Sequence, residues 1–457
     1  MDRFFFKKIE LWVVALIVVF LLLLTFAFGV IVRDAVYGNN RLGAISRVSL
    51  KIAALPAEAA KAVRMAAGGD LAGMATTKSG RFPDKSGWTF FDDRLDSGLD
   101  AYLFFSRHDG DVGHHVLELV DLKAGAVVHR IDFDFEKTFR NASRTSRLIN
   151  YDDWRNERFQ VVHPLALENG DILVKSMFSP MVRMTPCGEP VWTLENGVYH
   201  HTTEPGLDGT IWSSAYVEPP RIEGLNKYYL DPGITQFSAD GEVLYDRSLT
   251  KVMLEQGLGY MILAKQFDPD PIHLNDVEPI FEDGPYWKRG DVLLSLRNIS
   301  TIMLFRPSED RIIWWYQGPW AAQHDVDVID EKTFAVYNNN SLDIGDGREL
   351  VVNGTSEIVY FDLGTETAYR PFQAVLDAQD FKNEAAGLFT LLPDGHLYVD
   401  ESESGRSMIF TPDGKLAVEH VNRAENELIY HLGWSRIMDR ESGDRFLAQL
   451  KERSCNG

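Results

Sequence analysis

Four histidines, each opening a segment of one design, are the residues of this chain whose spacing indicates chemistry. Each leads through an acidic or glycine turn into a β-rich stretch. A residue that recurs at the same position of each sequence repeat occupies the same position in each repeat of the fold. If the repeats surround a central cavity, we expect the four imidazoles to point into it. The segments are HPLALENGDILV (163–174), HTTEPGLDGTIW (201–212), HLNDVEPI (273–280) and HDVDVIDEKTFAVY (324–337).

Amide and guanidinium groups accompany these histidines. Asn275 stands two residues after His273, and residues i and i+2 of an extended strand share a face. Arg297 ends the next strand, and Asn338 follows the strand after His324. This set of groups, with few carboxylates, suits the binding and transfer of a sulfuryl or phosphoryl group. Arginine offers tetrahedral oxyanions a fixed fork of hydrogen-bond donors. A neutral imidazole is a competent nucleophile.

Six hairpins of one design position these residues. Each is an apolar alternating strand, a turn and a second strand, and each alternates with a segment of the histidine type. Four strands per unit, repeated around a ring, predict an all-β fold, a six-bladed β-propeller over residues 98–434. A long β-sandwich or solenoid is the alternative. The hairpins are 116–131, 181–194, 234–247, 302–315, 358–371 and 408–421.

The N-terminal segment predicts a membrane anchor. Residues 11–32 are an uncharged run of about 22 residues, enough for a helix to span a bilayer, whereas the apolar core of a cleaved signal peptide has about 7–15. Basic residues at positions 3, 7 and 8 precede the span, so we expect residues 1–10 in the cytoplasm of a bacterium and the body on the periplasmic side of the inner membrane. Residues 33–97 are predicted to form a helical connector, and residues 435–457 are predicted to form a C-terminal helical cap.

Composition narrows the partners. The net charge of −21 argues against nucleic acid, since phosphate binding requires a basic face. The two cysteines, Cys187 and Cys455, show no metal-ligand spacing and leave a disulfide between them open. No GxxxxGK[ST] nucleotide-phosphate loop is present.

The ordered motifs of residues 160–345 resemble the bacterial arylsulfate sulfotransferases, periplasmic enzymes on a six-bladed propeller that do not use the sulfate donor PAPS. The resemblance implies an aryl sulfate donor, a phenolic acceptor, no cofactor and a ping-pong reaction in which His324 becomes sulfated. It further implies that His201, His273, Asn275 and Arg297 hold the sulfuryl and aryl oxygens. The motifs are HHTTEPGLDGTIW (200–212), HLN (273–275), GDVLLSLRNISTIMLF (290–305), IIWW (312–315) and QHDVDVIDEKTFAVYNNNS (323–341).

Further expectations complete this picture. Trp320, Asn338 and His163 are predicted to line the substrate site, and no metal is expected in it, although a structural calcium ion near Asp325 and Asp327 stays open. The membrane anchor and alanine-rich connector replace the cleaved signal and β-rich N-terminal domain of the family's members. Two other functions stay open, a membrane-tethered binding module and a metal-dependent propeller enzyme, and so does a homodimer.

Overall fold

The computed structural model describes residues 10–36, 41–68, 73–76, 79–223, 229–263, 268–343, 349–352 and 354–453. The chain divides into two compact units, residues 1–71 and 72–457. The first unit holds helices α1 (Leu11–Val36) and α2 (Ala44–Gly68). Helix α1 is four residues longer than the predicted span. It is long and apolar enough to cross a membrane, a test that a signal sequence also passes.

The second unit is built mainly from β-strands. Among its described residues there are 26, of which the first eleven are β1 (Gly87–Phe90), β2 (Ala101–Asp109), β3 (His114–Asp121), β4 (Ala126–Asp132), β5 (Leu165–Ala166), β6 (Ile172–Val174), β7 (Ser179–Met184), β8 (Pro190–Pro205), β9 (Thr210–Val217), β10 (Asp231–Ser238) and β11 (Val243–Ser248). The others are β12 (Leu274–Pro279), β13 (Val292–Leu296), β14 (Thr301–Arg306), β15 (Arg311–Gln317), β16 (His324–Val328), β17 (Thr333–Asn338), β18 (Ser341–Asp343), β19 (Glu349–Val351), β20 (Glu357–Asp362), β21 (Thr367–Tyr369), β22 (Phe389–Leu391), β23 (Leu397–Glu401), β24 (Arg406–Phe410), β25 (Leu416–Val421) and β26 (Arg436–Asp439).

Short helices join some of these strands. They are α3 (Asp93–Asp96), α4 (Phe135–Thr138), α5 (Leu249–Glu255), α6 (Gly259–Leu263) and α7 (Gln373–Ala378), and α8 (Arg440–Glu452) follows the last strand. Helix α8 is capped by Asp439, whose carboxylate accepts a hydrogen bond from the backbone N–H of Ser442 at 2.8 Å, as N-cap residues do.

The strands form antiparallel sheets in a propeller-like, all-β arrangement. Three sheets have four strands each, in the orders β26-β2-β3-β4, β12-β13-β14-β15 and β16-β17-β20-β21. A five-stranded sheet has the order β1-β25-β24-β23-β22, a seven-stranded sheet runs from β5 to β11 in sequence, and β18 pairs with β19. Each of the six predicted hairpins is present as an antiparallel pair within these sheets.

The seven-stranded sheet has two halves that share β8. The first half of β8 pairs with β7, where Met181 faces Leu194, and the second half pairs with β9, where Glu204 faces Trp212. The register with β7 shifts between Ser179 and Met181. Each half therefore has four strands, β5 to β8 and β8 to β11.

Two predicted boundaries are wrong. Strand β1 lies within the predicted connector 33–97 but pairs with β25, Gly87 facing Val421. Strand β26 lies within the predicted cap 435–457 but pairs with β2, Ala101 facing Asp439. Neither strand belongs to a hairpin, so its partner is remote in sequence and the local pattern does not mark it. Because β26 joins β2, residues near both ends of the β unit share one sheet.

The apolar faces of neighbouring sheets pack against each other. Leu293 and Leu304 of one sheet, for example, are buried in a single cluster with Phe334 and Val359 of the next. Burying one such side chain stabilises a fold by about 1.5–3 kcal/mol. These layers between sheets hold strands β12 and β16 in place, and these two strands carry Asn275 and His324 of the predicted site.

Candidate active site

The structure brings His201, His273 and His324 together. They come from three successive sheets: His201 from the second half of β8, His273 from the residue before β12, and His324 from the first residue of β16. Strand β12 contacts both β8 and β16. The ring centroids are 4.9 Å apart for His201 and His273, 5.4 Å for His201 and His324, and 6.5 Å for His273 and His324.

A left-handed backbone conformation recurs near these side chains. His201 (φ 53°) and His273 (φ 55°) adopt it themselves, and Asp325 (φ 46°) adopts it directly after His324. A register shift lies at or just after each of these residues, in β8, β12 and β16. Such a conformation costs a non-glycine residue of order 1–3 kcal/mol. Other residues with a positive φ include His163 (48°), Ala386 (58°) and Trp434 (60°), which lie ahead of β5, β22 and β26.

The hydrogen bonds around His324 fix its tautomer. Asn339 donates both amide hydrogens to backbone carbonyls, of Asn383 at 2.9 Å and of Ala386 at 2.8 Å. Its Oδ1 must therefore accept, and it lies 2.7 Å from Nδ1 of His324. Nδ1 carries the proton, and Nε2 is left with a lone pair that accepts a weak 3.3 Å bond from the Ala386 N–H. Burial, with the Arg297 charge next, lowers the pKa of His324 well below its usual value, which keeps the ring neutral.

His273 has a carboxylate partner that the sequence did not reveal. Its Nδ1 lies 2.5 Å from Oδ2 of Asp270, and its backbone N–H donates to Oδ1 at 3.1 Å. The hydroxyl of the buried Tyr216 also donates to Oδ2 of Asp270, at 2.7 Å. A carboxylate so placed fixes the orientation of the imidazole, which is the arrangement that a general acid and base requires.

The third imidazole, that of His201, is surrounded by buried polar groups. Nδ1 of His201 lies 2.7 Å from Nδ1 of His200, whose ring stacks on Tyr216 with centroids 4.1 Å apart. The ammonium group of the fully buried Lys175 donates to the backbone carbonyl of His201. Burial, with the His273 charge next, lowers the pKa of His201 well below its usual value. His201 is therefore a neutral member of the cluster.

Arg297 lies close enough to the cluster for its charge to lower the pKa of His324. Its guanidinium is held by Glu349 of β19 and donates to Oδ1 of Asn298 at 2.9 Å. The side chain keeps 15% of its surface exposed. An anion that enters this site meets a guanidinium that already has one carboxylate partner.

The other four predicted site residues have structural partners. Asn275 donates to the carbonyl of Gln323 at 2.8 Å and so holds the residue before His324. Asn338 accepts from the backbone N–H of Ala321 at 2.8 Å and donates to Glu357. Trp320 is buried against Phe334 and Phe361. His163 lies 3.2 Å from Glu204 and 2.8 Å from the Arg436 guanidinium. None of these four has a described contact to the three clustered imidazoles.

Trp434 was not among the predicted site residues but packs against the cluster. Its ring centroid is 5.4 Å from that of His201 and 5.9 Å from that of His324, and the side chain is buried. Trp434, Ala386 and Met177 help to line a cavity of about 70 Å³, together with polar residues such as Gln160 and Glu403. The sequence signal was the HLGW segment at 431–434, which has a histidine but no repeat partner.

Carboxylates are more abundant than the sequence suggested. Besides Asp270 and Glu349, the strands that carry the imidazoles also carry five enclosed carboxylates, with the Arg436 guanidinium beside one of them. Burial is the main cause that raises the pKa of four of them, with like charges next, and brings that of Asp327 to about 8. Asp276 accepts a hydrogen bond from the backbone N–H of Val326, and Asp325 accepts one from the backbone N–H of Phe389. Each of these hydrogen bonds joins one sheet to the next. The five are Glu204, Asp276, Glu278, Asp325 and Asp327.

The fold and the site define a propeller-like protein with a cluster of three imidazoles, carried by or next to strands of adjoining sheets. The family model described as arylsulfotransferase (ASST) matches residues 163–423. That span is more than half of the chain and includes His201, His273, Arg297 and His324. The chain therefore belongs to the arylsulfotransferase family.

Comparisons with whole proteins add little. No curated protein sequence matches this chain. Among solved structures, a Bacteroides caccae protein of unknown function has a TM-score of 0.44 at 12% identity, covering 74% of this chain and 99% of its own. The hydrazine synthase of Kuenenia stuttgartiensis has a TM-score of 0.39 at 12% identity, covering 68% and 77%. Virginiamycin B lyase of Staphylococcus aureus has a TM-score of 0.33 at 12% identity, covering 57% and 70%.

Proposed function

We propose that the protein transfers a sulfuryl group from an aryl sulfate to a phenol by a ping-pong reaction, with a sulfohistidine at His324 as the intermediate. The observation that carries the proposal is the fixed tautomer of His324, whose unprotonated Nε2 belongs to the cluster. A neutral imidazole with a free lone pair is the nucleophile that such a reaction requires. Membership of the arylsulfotransferase family supports the same substrate class.

The first half-reaction would form the bond between Nε2 of His324 and sulfur while the bond between sulfur and the aryl oxygen breaks. Arg297 and His201 lie where donors could stabilise the sulfuryl oxygens as they gain charge. His273, protonated and paired with Asp270, would give its Nε2 proton to the departing aryl oxide. The buried ring of Trp434, which packs against His201 and His324, would offer the aryl group an apolar surface.

The second half-reaction would run the same steps backwards with another phenol. Neutral His273 would take the phenol proton as the phenol oxygen attacks sulfur, and the bond from sulfur to Nε2 of His324 would break. His324 and His273 then return to their starting states, so no cofactor and no PAPS is consumed. Geometry favours His273 over His201 as the acid and base, because the described contacts give His273 a carboxylate partner, Asp270, and pair His201 with His200.

A six-bladed ring is part of the proposal. Counting the two halves of the seven-stranded sheet separately gives six units of four or more strands among the described residues. A calcium ion near Asp325 and Asp327 also remains a proposal. Among the described residues only the three imidazoles bring three ligand atoms within 4.8 Å, so calcium would depend on bridging water.

The location is proposed as the periplasmic face of a bacterial inner membrane, with helix α1 as the anchor. Cys187 is disulfide-bonded, which suits an oxidising compartment; Cys455 lies outside the described residues. A fusion reporter that fluoresces only in the cytoplasm should be dark at the C-terminus and bright at the N-terminus. The homodimer stays a prediction, which the molar mass in detergent solution tests.

The test of the activity uses the full chain with 4-nitrophenyl sulfate and a phenol. Nitrophenolate should appear only while an acceptor is present, and a mass increase of about 80 Da should be found on the peptide that contains His324. His324→Ala must lose both signals, whereas His114→Ala, altered on the protein surface, must keep them. A labelled histidine other than His324 would contradict the assignment of the nucleophile.

A further inference from the structure

The three clustered histidines share a feature beyond their proximity. In each ring Nδ1 already has a partner, which is His200 for His201, Asp270 for His273 and Asn339 for His324. One ring nitrogen from each histidine lies within 4.8 Å of the other two. With the Nδ1 atoms engaged, the Nε2 atoms are the ones available for a common ligand, which at His324 would replace the weak 3.3 Å hydrogen bond from the Ala386 N–H.

Anchoring of one nitrogen by a carboxylate or amide oxygen is how proteins orient imidazoles toward a metal ion. Zinc binds imidazole nitrogen at about 2.0–2.1 Å, which places two nitrogens of a tetrahedral site about 3.3 Å apart. Small rotations of the three rings would close the remaining distance. The histidine cluster left a metal-dependent enzyme open in the sequence analysis, but the three histidines form no HxH or HExxH pair that would predict a metal site.

The charged groups around the cluster affect how well it could bind a metal cation. The Arg297 charge acts on His324 and opposes a bound cation. Burial lowers the pKa of the neighbouring Lys175 well below its usual value. Asp270, paired with His273, and Glu349, paired with Arg297, supply negative charge that favours a cation. Three imidazoles in such surroundings suit a divalent ion of the zinc or copper class, for which imidazole is a preferred ligand.

We propose that His201, His273 and His324 bind one divalent transition-metal ion and that this ion inhibits the protein. Bound metal would occupy the Nε2 lone pair of His324, the same electron pair that attacks sulfur. The fourth ligand would be water or a sulfate oxygen on the side of Arg297. The binding stands without the proposed function, and only the inhibition rests on it.

Binding is tested on the full-length chain in detergent, stripped of metal with a chelator. Zn²⁺ titrated by calorimetry should show one site, and Co²⁺ should give the visible absorption of a four-coordinate ion. His273→Asn should weaken Zn²⁺ binding at least tenfold, whereas the surface variant His114→Asn should bind as the wild type does. Equal binding by His273→Asn, or no Co²⁺ absorption, overturns the proposed site.

Inhibition is tested with 4-nitrophenyl sulfate and a phenol. Zn²⁺ should stop nitrophenolate release over the concentration range in which it binds, and a chelator should restore the rate. A stripped protein that is inactive until Zn²⁺ is added overturns the inhibition and indicates a metal-dependent enzyme. If Zn²⁺ binds at the three imidazoles but no transfer occurs with or without metal, the metal site stands and the proposed function fails.

Discussion

The amide oxygen of Asn339 lies 2.7 Å from Nδ1 of His324, and the amide nitrogen of Asn339 is committed to two carbonyls. That commitment allows only one orientation of the amide and therefore only one tautomer of the imidazole. Asn339 thus determines which nitrogen of His324 is nucleophilic, although it lies on the side of the ring away from the cluster.

Asn339→Ala should reduce sulfuryl transfer by roughly 10²-fold, because loss of the acceptor frees the ring to rotate or change tautomer. The ¹⁵N chemical shifts of His324 should change from a protonated Nδ1 to a mixture of tautomers. Asn426→Ala, on an exposed loop, is the matched control and should leave both unchanged. An unaltered tautomer in Asn339→Ala would show that other contacts orient the ring.

Asp270→Asn should remove the carboxylate that pairs with Nδ1 of His273 and orients its ring. Transfer from aryl sulfates with poor leaving groups should fall by about 10²–10⁴-fold, the range of general acid catalysis, while 4-nitrophenyl sulfate is affected less. Rates for a series of substituted phenyl sulfates, measured across pH, give the comparison. Asp84→Asn, on the exposed surface, is the control. An equal loss for every leaving group would argue that Asp270 only supports the fold.

Glu349→Gln should release the guanidinium of Arg297 from its carboxylate partner. The anionic substrate would then meet a full positive charge, so KM for the aryl sulfate should fall by about tenfold or less and kcat should change little. Steady-state kinetics separate the two parameters, and Glu366→Gln on the exposed surface is the control. A rise in KM would mean that Glu349 holds Arg297 in its working position.

Asp327→Asn should stabilise the protein at alkaline pH. The folded-state pKa of Asp327 is raised from 3.8 to about 8 by burial and by the Glu204 charge. A raised carboxyl pKa contributes stability at low pH that is lost as the pH rises through the folded value. The variant cannot lose this contribution, so its Tm should exceed that of the wild type at pH 8.5 by a few degrees, roughly 2–4 °C per kcal/mol.

Thermal unfolding of both proteins at pH 5, 7 and 8.5 provides the measurement. The gain should shrink toward pH 5, where the wild-type carboxyl is protonated. Asp240→Asn, at an almost fully exposed side chain, is the control and should show no such trend. A gain independent of pH would point to repacking rather than to titration.

Local patterns predicted the strands that pair within hairpins, because alternation and turn residues are set by nearby sequence. They failed for β1 and β26, whose partners lie far along the chain. The site residues also separate into those that a local pattern predicted and those that it missed. His201, His273 and His324 were found by their recurring position, whereas Asp270 and Trp434 have no repeat equivalents of their own type.

The sequence by itself determined that the chain folds into repeated β units and that one imidazole falls at the same place in several of them. Only the tertiary structure decided which imidazoles meet, which nitrogen of each is free and which carboxylates lie beside them. The physical reason is that a strand's period is local, whereas a hydrogen bond between sheets depends on how their buried faces pack.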